Sequence, residues 1–138
     1  MPTLQATTAD KRRILETVKT IAVVGLSSIK TRAGYTVPAY LQEAGYRIIP
    51  VNPYLTESLN EKAYPDLHSV PEPVDMVLIF RRSEHIPPVV EQAIDIGAKV
   101  VWMQFGIVNE AAAAKARQAG LDVVMDSCSA VDHRRLFG

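Results

Sequence analysis

Apolar residues along this chain come in short unbroken blocks, and most of the blocks follow a glycine. Three times a helical pattern closes on glycine and gives way at once to an apolar run: EAGYRIIPV, DIGAKVVWM and QAGLDVVM. Glycine ends a helix readily because it has no Cβ to clash in the left-handed region. The runs after these glycines are continuous rather than alternating, as in strands covered on both faces. Strands are therefore predicted near Ile21–Gly25, Arg47–Val51, Asp75–Phe80, Lys99–Gln104 and Asp122–Met125. Helices fill the gaps, near Asp10–Lys19, Gly34–Ala44, Pro87–Ile96 and Glu110–Ala119. Ile14, Leu15 and Val18 share one face of the first helix. Pro87 and Pro88 suit a first turn, and Asn109 suits an N-cap. The stretch between the second and third strands is too polar and too rich in proline for a long helix. A loop is predicted there, with one short helical turn near Asp66–Ser69.

Alternating strands and helices imply an α/β fold, a parallel sheet with right-handed crossovers. In such sheets the binding crevice opens at the carboxyl ends of the strands, where the strand order reverses. The segments to inspect begin at Gly25, Val51, Phe80 and Gln104.

Composition narrows the partners. The length of 138 residues fits one domain, and 48% hydrophobic residues can supply its core. Fifteen basic and 15 acidic side chains balance to zero, so the broad basic field that nucleic acids or anionic membranes require is missing. A single cysteine, Cys128, excludes an intrachain disulfide and a cysteine-based zinc site; no metal site is expected. No apolar stretch approaches the length of a membrane span, and MPTLQATTADKRR lacks the apolar centre of a secretory signal. A soluble cytoplasmic protein is the expectation.

The first strand runs into VVGLSSIKTRAG. A dinucleotide fingerprint would need G-x-G-x-x-G here; Gly25 fills the first place, but Ser27 and Lys30 occupy the other two. No G-K-[ST] closes the segment, so it is not a P-loop. Free amides at a helix start, the hydroxyls of Ser27, Ser28 and Thr31, and the cations of Lys30 and Arg32 together suit anionic oxygens. The competing reading is an ordinary strand-to-helix loop with solvated cations. The second strand ends in PVNP, without the carboxylate that an NAD site places there. Asn52 can meet a ribose or a base, or it can bond its own backbone in a proline-bounded turn. The third strand ends in FRRSEH, where Arg81 or Arg82 should reach the rim of the crevice unless both are solvated or paired with Glu84. After the fourth strand, Gln104, Phe105, Gly106 and Ile107 offer apolar surface and one amide. His68 is expected in solvent, His85 at a helix start, and His133 beside Asp132. Cys128 is expected to be a buried, inert thiol, with a mixed disulfide to a thiol ligand as the alternative.

The succession VVGLSS, YRIIPVNP, AYPDLHSVPEPVD, FRRSEHIP, IGAKVVWMQFGIVNEAAAAKARQAGLDVVMD and CSAVDHRRL resembles the small CoA-binding proteins, which are similar to the N-terminal CoA-binding domain of the succinyl-CoA synthetase α subunit. The resemblance spans about residues 14 to 137; VNP, FRR and WMQFGIVNE carry it, and VVGLSS alone does not. It implies a Rossmann-like, doubly wound five-stranded parallel sheet with helices on both faces, binding coenzyme A at the strand ends. Gly25, Leu26, Ser27 and Ser28 would meet the phosphates, and Lys30 and Arg32 would neutralise them. Val51, Asn52 and Pro53 would lie along the adenosine. Phe80, Arg81 and Ser83 would flank the nucleotide or the pantetheine, with Gln104, Phe105, Gly106 and Ile107 beside the pantetheine arm. The chain departs from the family at Ala33 and Gly34, where proline and serine often stand, and at Ser127 and Ser129, where arginine and proline do.

The synthetase also needs a phosphate-accepting histidine on a second domain, and none of the three histidines here has the partners that nucleophilic catalysis requires. A stand-alone module binding CoA or acyl-CoA, without catalysis of its own, is the first expectation. An NAD(P)-binding oxidoreductase domain and a CoA-binding subunit of an acyl-CoA ligase are the alternatives. The tail residues Val131, Leu136 and Phe137 are expected to pack on the domain or on a second copy.

Overall fold

The computed structural model of the chain describes residues 5–138. In chain order its elements are α1 (Thr8–Thr17), β1 (Thr20–Val24), α2 (Ala33–Glu43), β2 (Arg47–Val51), β3 (Glu57–Ser58), β4 (Glu61–Lys62), β5 (Met76–Ile79), α3 (Ile86–Asp95), β6 (Val100–Met103), α4 (Glu110–Gln118), β7 (Asp122–Val124) and α5 (Ser129–Phe137). Short 3-10 turns lie at Leu67–Ser69 and Ser83–His85. Five strands form one parallel sheet in the order β2-β1-β5-β6-β7. The chain leaves β1 outward to β2, then returns to the other side of β1 at β5, so the order reverses between β1 and β5.

The apolar blocks are continuous because each strand is covered twice. Along β1, Ile21 and Val23 face one core with Leu15 of α1 and Leu41 of α2. Ala22 and Val24 face another with Val90 of α3 and Ala113 of α4. The same alternation runs through β5 and β6, where Leu78 and Trp102 pack on the first side and Ile79 and Met103 on the second. Successive Cβ atoms point to opposite faces of a strand, so two cores require apolar residues at every position. The doubly wound α/β arrangement implied by the resemblance is the fold observed.

Glycine marks where strands and helices end. Gly25 lies just beyond β1, in the left-handed region at φ +87°, rather than inside the strand. Asn109 caps α4 by accepting from the Ala112 amide at 3.0 Å, as its position predicts. The first helix starts earlier than its apolar face does, because Thr7 and Asp10 form a capping box: the Asp10 amide donates to Thr7 Oγ1 at 3.0 Å and the Thr7 amide to Asp10 Oδ2 at 2.9 Å.

Two elements carry no signal in the periodicity. β3 and β4 pair antiparallel around Leu59 and Asn60, both at positive φ. With two residues per strand there is no alternation to read, and the turn is held from outside by Gln42 Nε2 donating to the Leu59 carbonyl at 2.8 Å. The tail forms α5, which packs on the domain. It buries Ala130 and Asp132, half-buries Leu136 against the first core, and leaves Val131 and Phe137 exposed. His133 faces Tyr40, with Nδ1 and the Tyr40 hydroxyl 2.9 Å apart, and does not pair with Asp132. His85 is exposed at the start of α3, and His68 is exposed beside Asp95 at 3.1 Å.

Candidate functional site

At the reversal point β1 and β5 run side by side, and the loops beyond their carboxyl ends touch. The Gly25 amide donates to the Val51 carbonyl of β2 at 2.9 Å, drawing the turn across the sheet ends. A Cβ on Gly25 would lie 2.6 Å from the Phe80 carbonyl and 3.2 Å from Arg81 Cδ. Glycine is therefore required twice, by φ and by the approach of the β5 backbone.

The serine-containing turn is stitched to α2 by a bond that proline makes available. Pro38 lies inside α2 and has no N–H, so it cannot donate to the carbonyl of Gly34 four residues earlier. That carbonyl instead accepts the Ser27 amide at 2.9 Å. Gly34 permits the approach, since a Cβ there would lie 3.2 Å from Ser27 Cβ. The Ser27 hydroxyl accepts from the Ile29 amide at 3.0 Å and fixes the next bend. Arg32 is the N-cap of α2 but makes no side-chain cap, leaving the positive end of the helix facing the turn.

Asn52 ties the end of β2 to this turn. Its Nδ2 donates to the Leu26 carbonyl at 2.9 Å and its Oδ1 accepts from the Tyr54 amide at 2.9 Å. The proline-bounded turn is formed, and the same side chain also bridges to the β1–α2 segment. Between these segments lies a crevice of about 500 Å³, walled by Gly25, Ser27, Ser28, Arg32, Asn52, Tyr54, Phe80 and Arg81. The wall is mixed: the cations of Arg32 and Arg81 and the polar groups of Ser27, Ser28 and Asn52 stand among Ile29, Leu55 and Phe80.

A second cavity, of about 610 Å³, begins on the other side of Phe80. Ala33, Phe105, Ile107, Cys128 and Val131 make much of it apolar. Its polar side is built by Lys11, Ser127 and Asp132. Lys11 Nζ donates to Ser127 Oγ at 2.9 Å and lies 3.2 Å from Asp132 Oδ2, while the Ser127 hydroxyl donates to the Asp132 carboxylate. Asp132 is buried, and these two partners satisfy its charge.

The predicted residues divide by what their atoms are free to do. Gly25, Ser27, Ser28, Arg32, Phe80 and Arg81 line the first crevice together. Lys30 lies beside it, on an adjoining cavity that Ser28 also lines. Ile107 lines the second cavity, and Phe105, 74% exposed, stands at its mouth. Leu26 borders the crevice but is fully buried, its side chain in the core and its carbonyl taken by Asn52 Nδ2. Val51 is buried as well, and its carbonyl is taken by Gly25. Pro53 and Val51 line a small separate cavity with Arg81. Gln104 also lines the second cavity, but it is buried and its Oε1 accepts from both the Ser129 amide and hydroxyl at 3.2 Å, which anchors α5. Ser83 lines neither crevice; its carbonyl accepts from Asn109 Nδ2 at 2.8 Å. Arg82 is exposed and lines neither. Cys128 is half-buried on the second cavity rather than sealed in the core. Lys11, Tyr54, Ser127 and Asp132 were not predicted for the site. Only Tyr54 carried a local signal, an aromatic residue two positions beyond a turn-forming asparagine.

A parallel α/β sheet whose order reverses beside a glycine turn, an uncapped helix start and two arginines is the architecture of the Rossmann-like nucleotide-binding class. Residues 19–134 match the model of the CoA binding domain, and the chain belongs to that family. It is 44% identical over 125 residues to the Bacillus subtilis (strain 168) protein named Uncharacterized protein YneT, covering 91% of this chain and 93% of that one. It is 31% identical over 83 residues to acetate–CoA ligase [ADP-forming] II of Archaeoglobus fulgidus, a match spanning 59% of this chain and 12% of the ligase. The solved structure of a hypothetical protein from Pyrococcus horikoshii OT3 superposes with a TM-score of 0.93 at 40% identity, covering 100% of this chain and 99% of the other.

Proposed function

We propose that this chain is a one-domain, cytoplasmic binding module for coenzyme A, free or acylated. The observation that carries the reading is the pair of cavities meeting at Phe80, one holding two arginines and the serine turn, the other largely apolar. Coenzyme A has the same two parts, a phosphate-rich nucleotide head and a long, weakly polar pantetheine arm. Its diphosphate would be held by the Ser27–Ser28 turn, the start of α2, Arg32 and Arg81. Its arm would pass Phe80 toward Ile107 and Phe105. The family match supports the cofactor, and the lack of a carboxylate at the end of β2 disfavours NAD. What the bound cofactor supplies is a thiol or a thioester; the residues of this chain position it.

A second reading is that the module completes an acyl-CoA ligase formed with other chains, and the match to 12% of an archaeal ligase favours it. Calorimetry with CoA, NADH and NADPH tests the main reading. CoA should bind and stabilise the fold, by about 2.7 kcal/mol when present at about 100 times its Kd. Arg81→Gln should weaken CoA about tenfold, the loss of one charge-assisted contact. A nicotinamide cofactor that titrates cleanly while millimolar CoA gives no heat would overturn it. A partner chain that co-purifies in stoichiometric amount would select the ligase reading.

A further inference from the structure

The most exposed large hydrophobic side chain of the described residues lines the first crevice. Tyr54 is 89% exposed, yet its backbone is tied. Its amide donates to Asn52 Oδ1 at 2.9 Å, and Asn52 in turn donates to the Leu26 carbonyl of the facing turn at 2.9 Å. The next residue is tied as well, with the Leu55 amide donating to the Asn52 carbonyl at 3.2 Å. An aromatic ring has been carried into solvent by a segment that is fixed on both sides. The same crevice is lined by Ile29, 45% exposed, on the bend that the Ser27 hydroxyl fixes. Arg32 and Arg81, the cations of the crevice, line it with them.

We infer that Tyr54 is a stacking platform for the purine of the bound cofactor, with Ile29 as further apolar surface of the same crevice and the phosphates against Arg32 and Arg81. An exposed ring offers its face to any flat π-system at low entropic cost, since tyrosine has only two side-chain torsions. Fixing the backbone beneath it lowers that cost further. The inference rests on the CoA reading and adds to it a residue that selects for the base. Stacking needs no hydrogen bond from the phenol hydroxyl, so the ring and not the hydroxyl should matter.

The test is titration of the full chain with CoA, in wild type, Tyr54→Ala and Tyr54→Phe. Because the side chain is almost wholly in solvent, neither substitution should shift melting without ligand, which separates a binding effect from a folding one. Tyr54→Ala should weaken CoA about tenfold, in keeping with the stacking of one base on one ring. Tyr54→Phe should bind as wild type does. If the wild type binds CoA and Tyr54→Ala binds within about twofold of it, the platform is refuted and the CoA reading stands. A phenylalanine variant that loses as much as the alanine variant refutes stacking in favour of the hydroxyl. A wild-type chain that binds no CoA overturns both readings.

Discussion

Replacing Gly25 with alanine adds one methyl group at the point where β1, β2 and β5 converge. It carries two separable penalties. The first is conformational: at φ +87° an L-residue is in the left-handed region, at a cost of about 1–2 kcal/mol. The second is steric, because the new Cβ would lie 2.6 Å from the Phe80 carbonyl, which belongs to backbone just past the end of β5 and cannot rotate away. Overpacking of that kind costs about 1–3 kcal/mol. The sum, roughly 2–5 kcal/mol, is a large part of the 5–15 kcal/mol that a domain of this kind typically has. Gly120 provides the control. It lies at φ +92° after α4, but nothing is within 4 Å of the Cβ it would acquire. Gly120→Ala should therefore show only the first penalty. Urea denaturation of both variants and wild type, with unchanged slopes, should place Gly25→Ala about 2 kcal/mol below Gly120→Ala. Equal losses in the two variants would show that the strand-end contact is not tight, and steric need for glycine in the turn would be refuted. Gly25→Ala should also weaken CoA, since the amides of the turn must shift when the Phe80 carbonyl is displaced.

Lys11→Met leaves the buried Asp132 carboxylate with Ser127 alone and should destabilise the fold by about 2–3 kcal/mol, less than a fully buried pair would because Lys11 is 22% exposed; Lys11→Met combined with Asp132→Asn should recover part of the loss, as read by chemical denaturation. Iodoacetamide should label Cys128 more slowly when CoA is saturating, because the thiol lines the cavity assigned to the arm; a labelling rate indifferent to CoA would remove the arm from that cavity. Burial holds the His133 imidazole below its ordinary value of 6.5. The unfolded chain then binds more protons than the folded one just below that pH, so stability should fall as pH drops through about 6.5. His133→Gln should flatten that part of the profile, and denaturation midpoints at pH 7.5 and 5.5 in the two proteins compare the slopes.

The elements that could be read from the chain are those whose cause lies within one window of residues. Continuous apolar runs such as Val100–Met103 mean two covered faces, and glycines such as Gly45 and Gly97 mark helix ends, because burial and left-handed φ restrict residue types locally. The crevice between Gly25 and Phe80 was legible for the same reason: strand-to-helix order fixes which loops meet at the carboxyl edge. The residues whose polar atoms are already taken have their partners far away in the chain. Nothing near Gln104 says that its amide will be taken by Ser129, and nothing near Leu26 says that its side chain will turn into the core. The helix α5 has a mixed face and no side-chain cap, and is placed by Tyr40, Gln104 and a lysine 116 residues from Ser127. Hydrophobic periodicity and turn chemistry act over a few residues, so the order of amino acids was enough to specify the doubly wound sheet and the mouth of its crevice. Which side chains stay free to meet a ligand was settled by packing alone, because a polar group is consumed or spared by whichever distant neighbour the folded chain brings to it.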